Sequence, residues 1–351
     1  MAKKPILLLL ITLFISACST GAAPQLADEL VFYDWVDDMP QSVLDQFEEE
    51  FGVHVNYIPY EAVEDAEAEL AAGAIYDVAV LENDSFSDLI EDGMLAEIDY
   101  TNVPNFKNIS ANFRDLAYDP GNKHSIPFNW GTTGLLVRTD LVDAVPTKWA
   151  DLWDPQYQGQ IAIREDVPFD FIGLTLKSLG YGLNSEDESE LAEVGEKMQA
   201  LGPHLHLAPS SSEDAVKMLM SGEAAIMVGW VADLWEAGED VENIVYVLPE
   251  EGSMLWGDNF VIPASSTNPY TAEVFLNFLL RPDISASITN ENYYATPNDA
   301  ALEFIDPEIL EDPLVFPSPE SLLNAEVYLP LPAETDAMYM HTWEQFMASL
   351  P

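Results

Sequence analysis

The chain has 351 residues, with 62 Asp and Glu against 12 Lys and Arg, a formal net charge of −50. Such a charge disfavours nucleic acid and anionic lipid surfaces, and it favours cationic partners only where carboxylates converge. Most of these acids read as a solvated surface, so a binding site has to be argued residue by residue. The length predicts two domains, and the apolar content of 48% marks a globular chain rather than a disordered one.

Lys3 and Lys4 precede an apolar run over residues 6–15. The run is too short to cross a bilayer and reads as a signal peptide over residues 1–17. It ends Ile15-Ser16-Ala17-Cys18, which looks like a bacterial lipobox. That pattern implies cleavage before Cys18 and lipid attached to it. Cys18 is the sole cysteine, so no intramolecular disulfide forms. Residues 18–27 read as a polar tether.

Strand and helix patterns then alternate. Residues 30–35 read as a strand, and 40–50 as a helix opened by Pro40 and closed by Gly52. Strands follow at 53–59 and 76–81, with helices at 64–72 and 85–91. The alternation predicts an α/β domain with a largely parallel sheet. Residues 125–130 and 134–138 read as extended runs joined by Gly131-Thr132-Thr133, a crossing between two lobes. A helix at 211–222 leads into a strand at 224–229. Residues 260–263 read as another strand, 271–280 as a helix, and 336–350 as an amphipathic helix with Met338, Trp343 and Phe346 on one face.

Motifs for catalysis are missing: there is no G-x-S-x-G elbow, Walker A loop or G-x-G-x-x-G. No metal or other cofactor is expected. His204 and His206 raise a metal site, but they read more simply as two exposed histidines. Tyr293-Tyr294 raises ferric iron, with no His or carboxylate placed beside the pair. What recurs is Trp with Asp: Asp34-Trp35 with Asp37 and Asp38, Trp230 with Asp233, and Trp256 with Asp258. The last pair is expected just before the strand at 260–263. Strand ends are where open α/β sheets place ligands. Carboxylates compensate the lost hydration of a protonated amine, and indoles wall a methylene chain and add a cation–π attraction of about 0.5–2 kcal/mol. The same tryptophans also suit core or hinge packing, and the pattern alone leaves both readings open.

The chain resembles the bacterial spermidine/putrescine-binding periplasmic proteins over residues 30–297. Phe32-Tyr33-Asp34-Trp35, Tyr76-Asp77-Val78, Ser125-Ile126-Pro127 and Trp130-Gly131-Thr132-Thr133-Gly134 carry the likeness. Trp149-Ala150-Asp151-Leu152-Trp153, Gly229-Trp230 and Trp256-Gly257-Asp258 extend it. Leu279-Leu280-Arg281-Pro282-Asp283 and Ala295-Thr296-Pro297-Asn298 belong to a wider class of solute-binding proteins.

The resemblance implies a two-lobed periplasmic-binding-protein fold of type II-like topology, crossed more than once at the hinge. One lobe would comprise residues 28–133 and 258–300, the other 134–257 and 301–351. It implies that Trp35 walls the mouth, Trp230 and Trp256 sandwich the ligand chain, and Tyr294 adds an aromatic wall. Asp258 would meet an inner amine, Asp166 and Asp170 a terminal amine, and Asp233 matches a carboxylate of the putrescine type. Asp38 stands where the spermidine type has tyrosine, Glu82 and Asp84 where it has serine and tyrosine, and Tyr328 near an expected glutamine. The expected protein is a monomeric, lipid-anchored, non-enzymatic receptor that hands a polyamine to an ABC importer's permease. Its rivals are a receptor for another cation such as ferric iron, and an acidic surface lipoprotein that binds calcium or proteins.

Overall fold

The structure, a computed structural model, describes residues 24–36, 38–60, 63–83, 85–236 and 243–350. The expected signal peptide, Cys18, Asp37 and Asp84 lie outside the described residues. Ten strands make one sheet among the described residues. They are β1 (Glu29–Trp35), β2 (His54–Tyr60), β3 (Val78–Glu82), β4 (Ser125–Arg138), β5 (Ile161–Arg164), β6 (Leu205–Ala208), β7 (Ile226–Trp230), β8 (Ile244–Val247), β9 (Met254–Val261) and β10 (Glu326–Val327). The order is β2-β1-β3-β9-β4-β7-β5-β6, with β8 on β4 and β10 on β9.

The flanks are parallel, as the alternating pattern predicts: β1 with β2 and β3 on one side, β5 with β6 and β7 on the other. The middle departs from that expectation, because β9 runs antiparallel to both β3 and β4, and β4 runs antiparallel to β7 and β8. Strands connected by helical crossovers pair parallel, whereas β9 returns to the first half only after β5 to β8 of the second half have been laid down.

β1 shows why these runs become strands. Leu30 and Phe32 face a core shared with Phe47, Phe260, Phe275 and Phe278, while Tyr33 faces Tyr60, Leu70, Leu81 and Leu89 on the opposite side. A strand covered by helices on both faces is apolar at successive positions. The helix Gln41–Phe51 begins after Pro40 and stops at Gly52, which takes the left-handed conformation at φ 70°. The second half repeats the scheme. Ile161 and Ile163 of β5 face a core containing Phe171, Val194, Met198, Trp343 and Phe346, and Ala162 faces one containing Ala215, Leu219, Met227 and Ile305. The helix Ala333–Ser349 supplies Trp343 and Phe346, against which Phe171 packs at ring separations of 6.2 and 4.9 Å. Met338 packs at the edge of that core.

β4 and β9 belong to both halves. The two extended runs expected around Gly131 are one unbroken strand, because Gly131 stays in the ladder opposite Trp256. β9 begins six residues earlier than the sequence pattern indicates, so Trp256 and Asp258 stand inside the strand rather than before it. Their polar and aromatic side chains hide the strand from a reading based on apolar alternation. No helix among the described residues is long and apolar enough to cross a membrane.

Candidate ligand-binding site

The C-terminal ends of β1 and β3 and the middle of β9 meet where the two halves of the sheet join. Register places Glu82 opposite Asp258, and Asp258 also lies opposite Asn129 of β4. The β4–β9 register slips between Pro127 and Asn129, which leaves Phe128 as an extra residue and brings Asn129 level with Asp258. Asp258 is only 6% exposed, and its Oδ1 accepts from the Trp35 indole Nε1 at 3.3 Å. Trp35 is held in turn by Tyr57, whose hydroxyl donates to its carbonyl at 2.6 Å, and by the Tyr60 ring at 4.5 Å.

Asp38, 4% exposed, accepts from the Asn129 Nδ2 at 3.1 Å and from the Asn292 Nδ2 at 3.0 Å. Burial, followed by the nearby Asp258 charge, pushes its carboxyl up to about 8, although both amide donors oppose the shift. Asp34 is fully buried, and burial with the charges of Asp38 and Asp258 holds it well above the usual carboxylate range. Its Oδ1 accepts from the Trp35 backbone N–H at 2.8 Å. The Tyr60 hydroxyl is raised first by burial and then by Asp258, Asp34, Glu82 and Asp38, which ties all four acids to one locality.

A second polar group lies across the join. Thr133 of β4 donates to Asp170 at 2.7 Å and accepts from the Trp230 indole Nε1 at 3.2 Å. Tyr328 also donates to Asp170, at 3.1 Å. Burial raises Asp170 while these two donors and the Arg164 charge lower it, and the net shift is upward. Asp233 is fully buried, and its two oxygens accept from the Arg164 guanidinium and from the Trp230 backbone N–H. Arg164 lies over the Trp230 ring at 4.4 Å. The Asp233 charge is therefore met by an internal cation, whereas the sequence reading assigned it to the ligand. Asp166 is exposed, on the turn before the helix Pro168–Leu179.

Between the two groups stand Trp256 and Tyr294, whose rings meet edge to face at 5.2 Å. Tyr294 follows Tyr293, which closes the helix Pro282–Asn292 at a φ of 59°, a left-handed cap that is uncommon for an aromatic residue. The Tyr294 hydroxyl is raised by burial and then by Asp38, Asp233 and Asp258, so it senses both acidic groups. Trp256 lies flat on Gly131 with no room for a side chain there.

Residues 42–317 match the family model of the bacterial extracellular solute-binding proteins. The chain belongs to that family. Its members are solute-binding proteins, not enzymes, and they act outside the cytoplasm. This solute-binding protein is 32% identical to the spermidine/putrescine-binding periplasmic protein of Escherichia coli K12 over 316 residues, covering 88% of this chain and 90% of the relative. It is 30% identical to the putrescine-binding periplasmic protein SpuD of Pseudomonas aeruginosa, covering 93% of this chain and 94% of that one. The structure of the spermidine/putrescine ABC transporter substrate-binding protein of Streptococcus pneumoniae superposes with a TM-score of 0.83 at 32% identity, covering 92% of this chain and 99% of that one. The two-lobed fold expected from the resemblance is the fold of these relatives.

Of the residues singled out from sequence, Trp35, Asp38, Glu82 and Asp258 gather at one end. Asp170, Trp230 and Tyr328 gather at the other, with Trp256 and Tyr294 between. His206 instead meets the Gly159 carbonyl at 3.0 Å, and no group of three or more His, Cys, Asp or Glu among the described residues is disposed to hold a metal ion. The sequence patterns give no ligand-site role to Asn129, Thr133, Arg164 or Asn292. Asp34 belongs to the recurring Trp–Asp pattern, and its place on the same face of β1 as Leu30 and Phe32 turns its side chain inward.

Proposed function

We propose that this solute-binding protein captures a linear polyamine, spermidine or putrescine, between its lobes and delivers it to an ABC importer from a lipid anchor on Cys18. The observation that carries the reading is the pairing of Asp258 with the Trp35 indole on one side of the Trp256–Tyr294 wall and of Asp170 with Thr133 and Tyr328 on the other. Two anionic ends separated by aromatic walls suit a chain with an ammonium group at each end and methylenes between. The relatives' own descriptions as spermidine- and putrescine-binding proteins support the same ligand class. Asp233 is matched by Arg164, and Asp166 faces solvent, so fewer carboxylates need a ligand cation than the sequence count implied.

We divide the lobes at the shared strands: residues 28–133 with 258–300, and 134–257 with 301–351. The separate cores around Phe47 and around Phe346 support this division. The lobes close on ligand by bending near Thr133 and Trp256, a known mode of binding-protein switching.

Calorimetry with putrescine, spermidine and spermine tests the ligand, with thermal shift as a second readout. A native-state ligand at a hundredfold excess over Kd adds about 2.7 kcal/mol of stability. Tight binding of calcium, ferric ion, a sugar or an amino acid, with no polyamine bound, overturns the proposal.

A further inference from the structure

Four acids reach the Tyr60 hydroxyl at the first end of the cleft: Asp34 from β1, Asp38 from the turn after it, Glu82 from β3 and Asp258 from β9. Tyr294 joins them from the segment after the helix Pro282–Asn292. Among the described residues, the leading influences on Asp34 and Asp38 include no Lys or Arg; the named groups that oppose their burial and mutual repulsion are amide and backbone donors. Arg164 reaches Tyr294 but is paired with Asp233 on the other side of the join.

Two buried oxygens point to something that belongs there. Among the described residues, Asp34, 0% exposed, has its Oδ2 without a hydrogen-bond partner, and Asn129, 4% exposed, has its Oδ1 likewise unpartnered. The Nδ2 of that same Asn129 is bonded to Asp38, which directs the side chain into the cluster. A buried carboxylate oxygen facing other carboxylates, with no donor of its own, is stable when it carries a proton or meets a cation. Among the described residues the carboxyl groups are not disposed as a metal site.

We propose that in the free protein the Asp34–Asp38 pair holds a proton, and that an ammonium group of the ligand displaces it on binding. The reaction balances as R–NH3+ plus a protonated carboxyl giving a carboxylate–ammonium pair and one proton released to solvent. Asp34 is thereby a residue that couples capture to pH, which the other named site residues do not require. This rests on the polyamine reading for the displacing group, while the proton itself does not.

Groups acting together in this way titrate as a set, so the release is counted for the pair. The high position of both carboxyls agrees with a proton retained at neutral pH. As pH rises toward about 8, less proton has to be displaced, so binding tightens by up to about tenfold per pH unit and then levels off.

Two measurements test this. Infrared spectroscopy of the ligand-free protein at pH 7 should show a protonated-carboxyl C=O band that weakens or vanishes in Asp34→Asn and in Asp38→Asn. Calorimetry of spermidine and putrescine in phosphate and in Tris should give buffer-dependent heats. These should correspond to about one proton released per ligand in the wild type, and to much less in Asp34→Asn. Absence of the infrared band in the wild type overturns the proton. A present band with buffer-independent heats overturns the displacement and leaves the polyamine reading intact. Failure of both amines to bind overturns both the polyamine reading and the displacement, while the band still decides whether the proton is held.

Discussion

Gly131→Ala tests whether Trp256 is the wall that the site is built around. A Cβ built at Gly131 would stand 2.2 Å from the Trp256 Cζ2 and 2.7 Å from two further indole carbons. The ring would have to retreat by about 1.2 Å to reach ordinary contact. Its Nε1 is buried with no hydrogen-bond partner among the described residues, so the ring is held by packing, chiefly against Gly131 and edge to face with Tyr294. Overpacking of this kind costs about 1–3 kcal/mol of stability. Losing one aromatic wall costs the ligand about 0.5–2 kcal/mol, or roughly two- to thirtyfold in Kd. Thermal melts and calorimetry with spermidine read the two effects separately. Gly257→Ala, one strand position from the same contact, meets nothing nearer than the Asn129 carbonyl oxygen at 3.4 Å and should change both far less. Wild-type affinity in a folded Gly131→Ala variant would show that Trp256 does not contact the ligand.

Asp258→Asn should weaken polyamine binding at least a hundredfold by calorimetry, since removing one partner of a buried charge pair costs about 3–5 kcal/mol. Arg164→Ala should lower the melting temperature markedly by leaving Asp233 buried and uncompensated, again about 3–5 kcal/mol, whereas Arg164→Met with Asp233→Leu should recover much of the loss. The free protein should lose stability as pH rises. The Asp38 carboxyl titrates near 8 when folded and near 3.8 when unfolded, so the folded state binds the extra proton between those values. Its stabilising contribution is full below about 3.8 and gone above about 8, with a ceiling on the order of 5 kcal/mol. Thermal melts at pH 5 and pH 8.5 check the direction. Cys18→Ala should release the protein from membranes on fractionation while leaving ligand affinity unchanged.

The flanking strands and helices were legible because their signals are local. Pro40 and Gly52 bracket a helix, and a run of successive apolar residues marks β1. The middle of the sheet was not, because β9 is defined by what it pairs with rather than by its own composition: Trp-Gly-Asp-Asn does not read as a strand until Glu82 and Asn129 are set opposite. The tryptophans and Asp258 could be picked out from sequence as chemistry without a partner. The role of Asp233 could not, since Arg164 stands 69 residues away and only the parallel pairing of β5 with β7 brings them together. Asn292 escaped for the same reason, reaching Asp38 across 254 positions.

The position of β9 also sets the order in which the molecule can be completed. Val80 of β3 pairs with Phe260, so the first half of the sheet keeps a bare edge until the chain has been made through residue 261. Strands β1 and β3 are hydrophobic on both faces, and an open edge on such a sheet invites pairing with other chains. Long-range pairing of this kind is also slow to form. A nascent chain cut short in the second half therefore exposes an adhesive strand rather than a finished lobe, and aggregation of truncated chains should fall sharply once β9 is included.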